Sequence, residues 1–210
     1  MRALVLLAGP LTPSPRLFAE ARRAELVVAA DGGIRHAEAL GRVPDLWVGD
    51  FDSTPPELAA RFRAVPREVF PEDKDATDAE LAARAALARG ASELLFAGAV
   101  GGEEDHALGT YALALALAER KTPSALTDGR TWVYPLVPPG LRPDLAPGTP
   151  FSLVPMSDLA GVSIRGARWE LSGAELPFGT TRALRNRVTR PPLEVALERG
   201  RALLIARPVS

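Results

Sequence analysis

The chain has 210 residues, 47% apolar and 24% charged, which allows one large or two small globular domains and excludes wholesale disorder. A formal net charge of −1 removes any general attraction to nucleic acid or anionic membrane, so neither is expected as a partner. The absence of cysteine excludes disulfides, thiolate metal sites and cysteine nucleophiles, and His36 and His106 are the only histidines.

The opening MRALVLLAGP is too short to span a membrane and lacks a signal cleavage pattern, so it reads as a buried first strand, Ala3–Ala8, of a cytoplasmic protein. Further apolar runs at Glu25–Ala30, Asp45–Val48, Arg67–Phe70, Glu93–Gly98 and Ser124–Asp128 alternate with helical patterns, predicting a parallel sheet covered by helices. The best marked helix begins at Thr77, where TDAE puts a hydroxyl at the N-cap and Glu80 at N3, and Gly90 follows as a C-terminal stop. Residues Pro135–Pro150 are too proline-rich for helix and read as a connection. Beyond them come short segments whose alternation, as in Leu193/Val195/Leu197 against Glu194/Glu198, predicts antiparallel strands and a small all-β sandwich.

The distinctive residues sit just after the predicted strands, where open α/β sheets bind ligands. ADGG (Ala30–Gly33) follows the second strand, GDFDS (Gly49–Ser53) the third, EDKDATD (Glu72–Asp78) the fourth and GAVGGEEDH (Gly98–His106) the fifth. Asp50 and Asp52 converge if the chain stays extended, since residues two apart share a side. With Asp78 they form a hard-oxygen set suited to Mg²⁺, which removes their mutual repulsion. Lys74 supplies a point charge for phosphate, Thr77 opens a helix N-terminus suited to anions, and Gly101 and Gly102 allow backbone to approach a ligand. Neither the P-loop pattern nor G-x-G-x-x-G is present. Two other chemistries use D-x-D: aspartyl-phosphate-forming hydrolases, with Asp50 as nucleophile, and metal-dependent nucleotide-sugar transferases. Neither accounts for KDATD or the all-β tail. His36 reads as a surface-helix residue, and Asp105 as either a substrate contact or a helix cap.

ADGG, GDFDS, KDATD and GG..DH.L, in this order and spacing, resemble the thiamine pyrophosphokinase family, and the tail segment Gly166–Asn186 resembles the family's Gly-x-x-aromatic-x-Leu stretch and closing Ser-Asn. The resemblance implies a Rossmann-like three-layer α/β catalytic domain over residues 1–130 and a thiamine-binding, dimerising β-sandwich over 131–210. It implies a homodimer with active sites between subunits, and transfer of the pyrophosphoryl group of ATP to thiamine, giving thiamine diphosphate and AMP. Carried over, Asp50, Asp52 and Asp78 are Mg²⁺ ligands, and Asp31, Lys74, Asp75, Thr77, Gly101 and Gly102 border the metal-nucleotide. Asp105, Trp169 and Asn186 fall on the acceptor side, with Trp169 either stacking on the cationic ring of thiamine or filling the sandwich core.

The chain departs from the family pattern at Glu103, where an arginine is usual, at Thr110 for an asparagine, and at Ala183, Leu184 and Arg185 in the serine-rich stretch. These departures leave open a different acceptor such as a hydroxymethyl-pterin, or a sensor that binds thiamine or nucleotide without turnover.

Overall fold

Leu4-Val5-Leu6 and Leu26-Val27-Val28 are apolar at every position, a pattern that suits a strand covered on both faces. In the computed structural model, which describes residues 1–51, 54–70 and 76–208, such runs become parallel strands. The chain divides into two compact units, Met1–Thr110 with Thr122–Gly129, and Tyr111–Lys121 with Arg130–Ser210.

The first unit holds β1 (Arg2–Leu6), β2 (Leu26–Ala30), β3 (Leu46–Gly49), β4 (Arg67–Val69), β5 (Glu93–Ala97) and β6 (Ser124–Thr127), all six predicted runs. They pair in parallel in the order β6-β5-β1-β2-β3-β4. The order reverses between β1 and β5, so the loops leaving these neighbouring strands turn toward different connections and open a crevice. Leu4, Leu6, Val27, Val28, Trp47 and Phe96 are fully buried in this sheet. Burying each large side chain contributes about 1.5–3 kcal/mol.

The helices begin and end where local chemistry allows. In α1 (Pro15–Arg23) the Ser14 hydroxyl accepts from the Leu17 amide at 3.2 Å and Pro15 fills N1. Arg42 caps the other end by donating to the carbonyls of Ala21 and, at 3.0 Å, Ala24. α2 (Pro56–Arg61) also starts on proline. α3 (Asp78–Ala88) packs on β1, β2 and β3, and Thr77 accepts from Glu80 N at 3.3 Å. Glu80 Oε1 turns to Arg84 at 2.5 Å. Gly90, at φ +89°, stops α3: its N–H donates to Leu87 O at 2.9 Å and that of Ala91 to Ala86 O at 3.1 Å. α4 (Glu104–Glu119) starts in the first unit and from Tyr111 belongs to the second.

The second unit is antiparallel. β7 (Trp132–Leu136), β9 (Pro150–Pro155), β12 (Asn186–Arg187) and β14 (Ala202–Ala206) pair in the order β12-β9-β14-β7. β8 (Gly140–Leu141), β10 (Leu159–Arg165), β11 (Leu171–Leu176) and β13 (Glu194–Ala196) form a second sheet in the order β11-β10-β13-β8. Leu153 and Leu204 from one sheet join Ile164 and Val195 from the other in one buried cluster. Leu193, Val195 and Leu197 point inward, as their spacing predicts. The proline-rich connection is not structureless, since it begins in the last residues of β7, contains β8 and ends at the first residue of β9. Among the described residues no helix is long and apolar enough to cross a membrane.

Candidate active site

The crevice between β1 and β5 is a cleft of about 690 Å³ within the first unit. Its floor is backbone. Gly9 N donates to Gly98 O at 3.1 Å, and a Cβ on Gly9 would lie 2.4 Å from that same oxygen. Gly98 sits at φ +77°, where its own Cβ would lie 2.4 Å from Leu7 O. Only glycine permits this approach. Gly101 and Gly102 continue the lining, at φ +76° and +85°.

Of the predicted residues, Thr77, Asp78, Gly101, Gly102 and Asp105 all line this cleft. Thr77 and Asp78 are the N-cap and first residue of α3, so the helix N-terminus faces it with a carboxylate. Asp105 is not the cap of α4: it lies inside the first turn, and its Oδ1 accepts from His106 N at 2.8 Å. Glu103, Asp105 and His106 bring ligand atoms within 4.8 Å of one another, all exposed, and Glu103 lies 3.4 Å from His106 Nε2. Glu103 therefore stays at the cleft. Thr110 also lines it, with its hydroxyl donating to His106 O at 2.8 Å one turn back.

Asp31 and Asp50 directly follow β2 and β3, and neither is among the residues that line the cleft. Asp31 takes φ +40°, its carbonyl accepts from Trp47 Nε1 at 2.8 Å, and Gly49 lies so close that a Cβ there would sit 3.2 Å from Asp31 Oδ1. The extended geometry assumed for the D-x-D stretch is corrected here, because β3 ends at Gly49 and Phe51 adopts φ +66°. The two-residue alternation from Asp50 is lost at that residue. Ring packing holds the turn: Phe51 meets Trp47 edge-on at 4.9 Å, and the Arg67 guanidinium lies 4.6 Å from the Trp47 ring centroid and 5.1 Å from that of Phe51. Asp52, Lys74 and Asp75 lie outside the described residues.

Sequence reasoning missed Arg35 and His36. They belong to a 3₁₀ turn, Asp31–His36, directly after β2, and both line the cleft. His36 is not a surface-helix residue. It is half-buried, its Nε2 donates to Gly9 O at 3.0 Å, and burial pulls its pKa below 6.5, assisted by the Arg35 charge and opposed by the Gly9 contact. Arg35 donates to Ala8 O at 2.5 Å. The available signal was position, since both directly extend the ADGG motif at a strand's carboxyl end.

In the second unit Trp169 and Asn186 come together. Trp169 is 53% exposed, which removes the core alternative, and the Arg168 guanidinium lies 4.8 Å from its ring centroid. Asn186 is buried and binds the Trp169 backbone through both ends of its amide. Ala183 belongs to the buried cluster, where a hydroxyl would need a partner, while Arg185 sits at φ +59° with its N–H donating to Ser152 Oγ at 3.0 Å.

Residues 19–126 match the model described as thiamin pyrophosphokinase, catalytic domain, and residues 141–201 match thiamin pyrophosphokinase, vitamin B1 binding domain. A thiamine pyrophosphokinase of Bacillus subtilis is 25% identical over 207 residues, 96% of each chain. The chain is similar to a crystal structure of the thiamine pyrophosphokinase from Bacillus subtilis at a TM-score of 0.87 and 21% identity, covering 100% of both chains. It is similar to that from Geobacillus thermodenitrificans at 0.83 and 26% identity, covering 100% of this chain and 99% of the other. A hard-oxygen, backbone-floored cleft at a strand-order reversal and matches to both domain models lead to one conclusion: the chain belongs to the thiamin pyrophosphokinase family of ATP-dependent diphosphotransferases.

Proposed function

We propose that this chain transfers the pyrophosphoryl group of ATP to the hydroxyethyl group of thiamine, with the β1–β5 cleft as the nucleotide site. The observation that supports this best is the cleft's composition: a glycine floor, the N-terminus of α3 and the carboxylates of Asp78, Glu103 and Asp105. The acceptor oxygen forms a bond to the β-phosphorus as the bond from that phosphorus to the α-phosphate oxygen breaks, and AMP leaves. The acceptor's proton passes to a carboxylate, Asp50 or Asp78. Such transfer depends on positioning and charge stabilisation rather than on a covalent nucleophile.

The donor set fits Mg²⁺. Asp50 and Asp78 offer hard oxygens, cysteine is absent, and His36 Nε2 is engaged with Gly9 O. Asp50, Asp52 and Asp78 would hold the ion, with Asp31 beside them. When bound, Mg²⁺ supplies charge neutralisation at the phosphate oxygens. Thr77, Gly101, Gly102, Lys74 and Asp75 border the phosphate chain in this reading. Asp105, Trp169 and Asn186 serve the acceptor, with the exposed Trp169 ring offering a face to a planar cation.

We read residues 1–130 as a Rossmann-like nucleotide- and metal-binding domain and 131–210 as the thiamine-binding, dimerising sandwich of a cytoplasmic homodimer. The exposed Trp169, Phe178 and Leu184 are consistent with a partner surface. The test is to incubate the protein with ATP, Mg²⁺ and, separately, thiamine or a hydroxymethyl-pterin, and to identify products by mass. AMP with thiamine diphosphate is expected. AMP only with the pterin alcohol reassigns the acceptor, and a phosphoryl adduct on Asp50 without AMP overturns the reaction.

A further inference from the structure

Among its described lining residues the cleft has an imbalance of charge that bears on an anionic ligand. Asp78, Glu103 and Asp105 line it, and the exposed Arg35 is the one lysine or arginine among its described lining residues. A nucleotide phosphate chain entering such a cleft meets repulsion that a metal offsets only where it is coordinated. Arg35 is positioned rather than free-swinging: Nη2 donates to Ala8 O at 2.5 Å, and a Cβ on Gly32 would lie 3.5 Å from the same nitrogen. A guanidinium has five donors in a rigid fork, so a single carbonyl leaves most of them available. No carboxylate among the described residues takes up the remainder. The geometry places a preoriented cation at the carboxyl end of β2, beside the β1 loop, in a cleft whose β5 loop presents Glu103.

We propose that Arg35 is a phosphate-binding cation of this cleft, in addition to Lys74, donating to non-bridging oxygens of the nucleotide's phosphate chain. The assignment rests on the cleft being the nucleotide site. Because Arg35 also holds the Ala8 carbonyl, a purely structural role is the competing explanation, and the test must separate the two.

Calorimetric titrations of wild type, Arg35→Gln and Arg35→Lys with ATP, AMP and adenosine do so, all with Mg²⁺. Arg35→Gln is expected to weaken ATP binding roughly 10- to 100-fold, the span for losing a charge-assisted bond, and to leave adenosine within about two-fold. Arg35→Lys, which keeps the charge without the fork, is expected between wild type and Gln for ATP, again with adenosine unchanged. If Arg35→Gln does not fold, the Lys variant still supplies the comparison. An equal loss for ATP, AMP and adenosine overturns the proposal in favour of loop support. Wild-type ATP binding that neither variant alters overturns Arg35 alone. A wild type that binds thiamine but not ATP overturns the nucleotide reading of the cleft, and this inference with it.

Discussion

Asn186 holds Trp169 from both sides of one peptide: Oδ1 accepts from the Trp169 N–H at 3.1 Å, and Nδ2 donates to the Trp169 carbonyl at 2.7 Å. The same Oδ1 also accepts from Arg187 N at 2.8 Å. A residue expected to touch the acceptor is thus turned inward, and it fixes the backbone of the residue whose ring is exposed.

Replacing Asn186 with Ala should cost about 1–3 kcal/mol, because the part-buried N–H and C=O of Trp169 lose their partner. It should raise the KM for thiamine more than that for ATP. Urea unfolding and paired KM measurements check this; an unchanged unfolding midpoint would show that the amide is not holding the loop.

Asp78 begins α3 with its carboxylate at the cleft, and an Asn side chain fits the same place without the charge. Asp78→Asn should reduce kcat on the order of 10²–10³-fold, the scale for losing one electrostatic stabiliser. Its thermal unfolding should stay close to wild type. Near-normal turnover would remove Asp78 from the metal set. Asp52→Asn is expected to be as damaging to turnover, with the fold intact.

The two glycines of ADGG should respond differently. A Cβ on Gly33 would lie 2.2 Å from Leu6 O and 2.6 Å from its carbonyl carbon, both backbone, so Gly33→Ala should destabilise by about 1–3 kcal/mol. On Gly32 the nearest atom is Arg35 Nη2 at 3.5 Å, ordinary contact, so Gly32→Ala should stay within about 0.5 kcal/mol. Equal losses in denaturant titrations would contradict the packing argument.

His36 gives the cleft a pH dependence of known sign. Burial disfavours its charged form, so the folded pKa lies below the ordinary 6.5. The unfolded chain binds a proton near that pH while the folded chain does not. The His36 contribution is therefore fully present above about pH 6.5 and is lost as pH falls through the lower folded value. An NMR titration should place the His36 midpoint below 6.5. A midpoint at or above 6.5 would contradict the burial account.

Elements set by local pattern were legible from the chain alone. β1, β2, β3 and β5 carry apolar runs with no polar interruption, and Thr77 and Gly90 mark both ends of α3 by side-chain and backbone chemistry that acts within a few residues. What depends on distant partners was not. The reversal of order between β1 and β5 is set by crossovers whose direction leaves no local trace, yet it creates the cleft. Phe51 is left-handed because Trp47 and Arg67 clasp its ring, a tertiary effect that overrides the extended reading of D-x-D. His36 gave no sign of burial because its partner, the Gly9 carbonyl, lies 27 positions earlier. Ala183 looked like a lost serine until its place in the buried cluster was known.

The glycine floor limits substitution. Where Gly9 and Gly98 meet, shape is defined by atoms that are missing, and any replacement at either position adds one within 2.4 Å of a carbonyl oxygen. The rim is different: Glu103 and Asp105 are exposed side chains and can be exchanged without disturbing the peptides beneath. A change at the rim can thus retune what the cleft prefers, while the platform beneath the ligand tolerates no added atom.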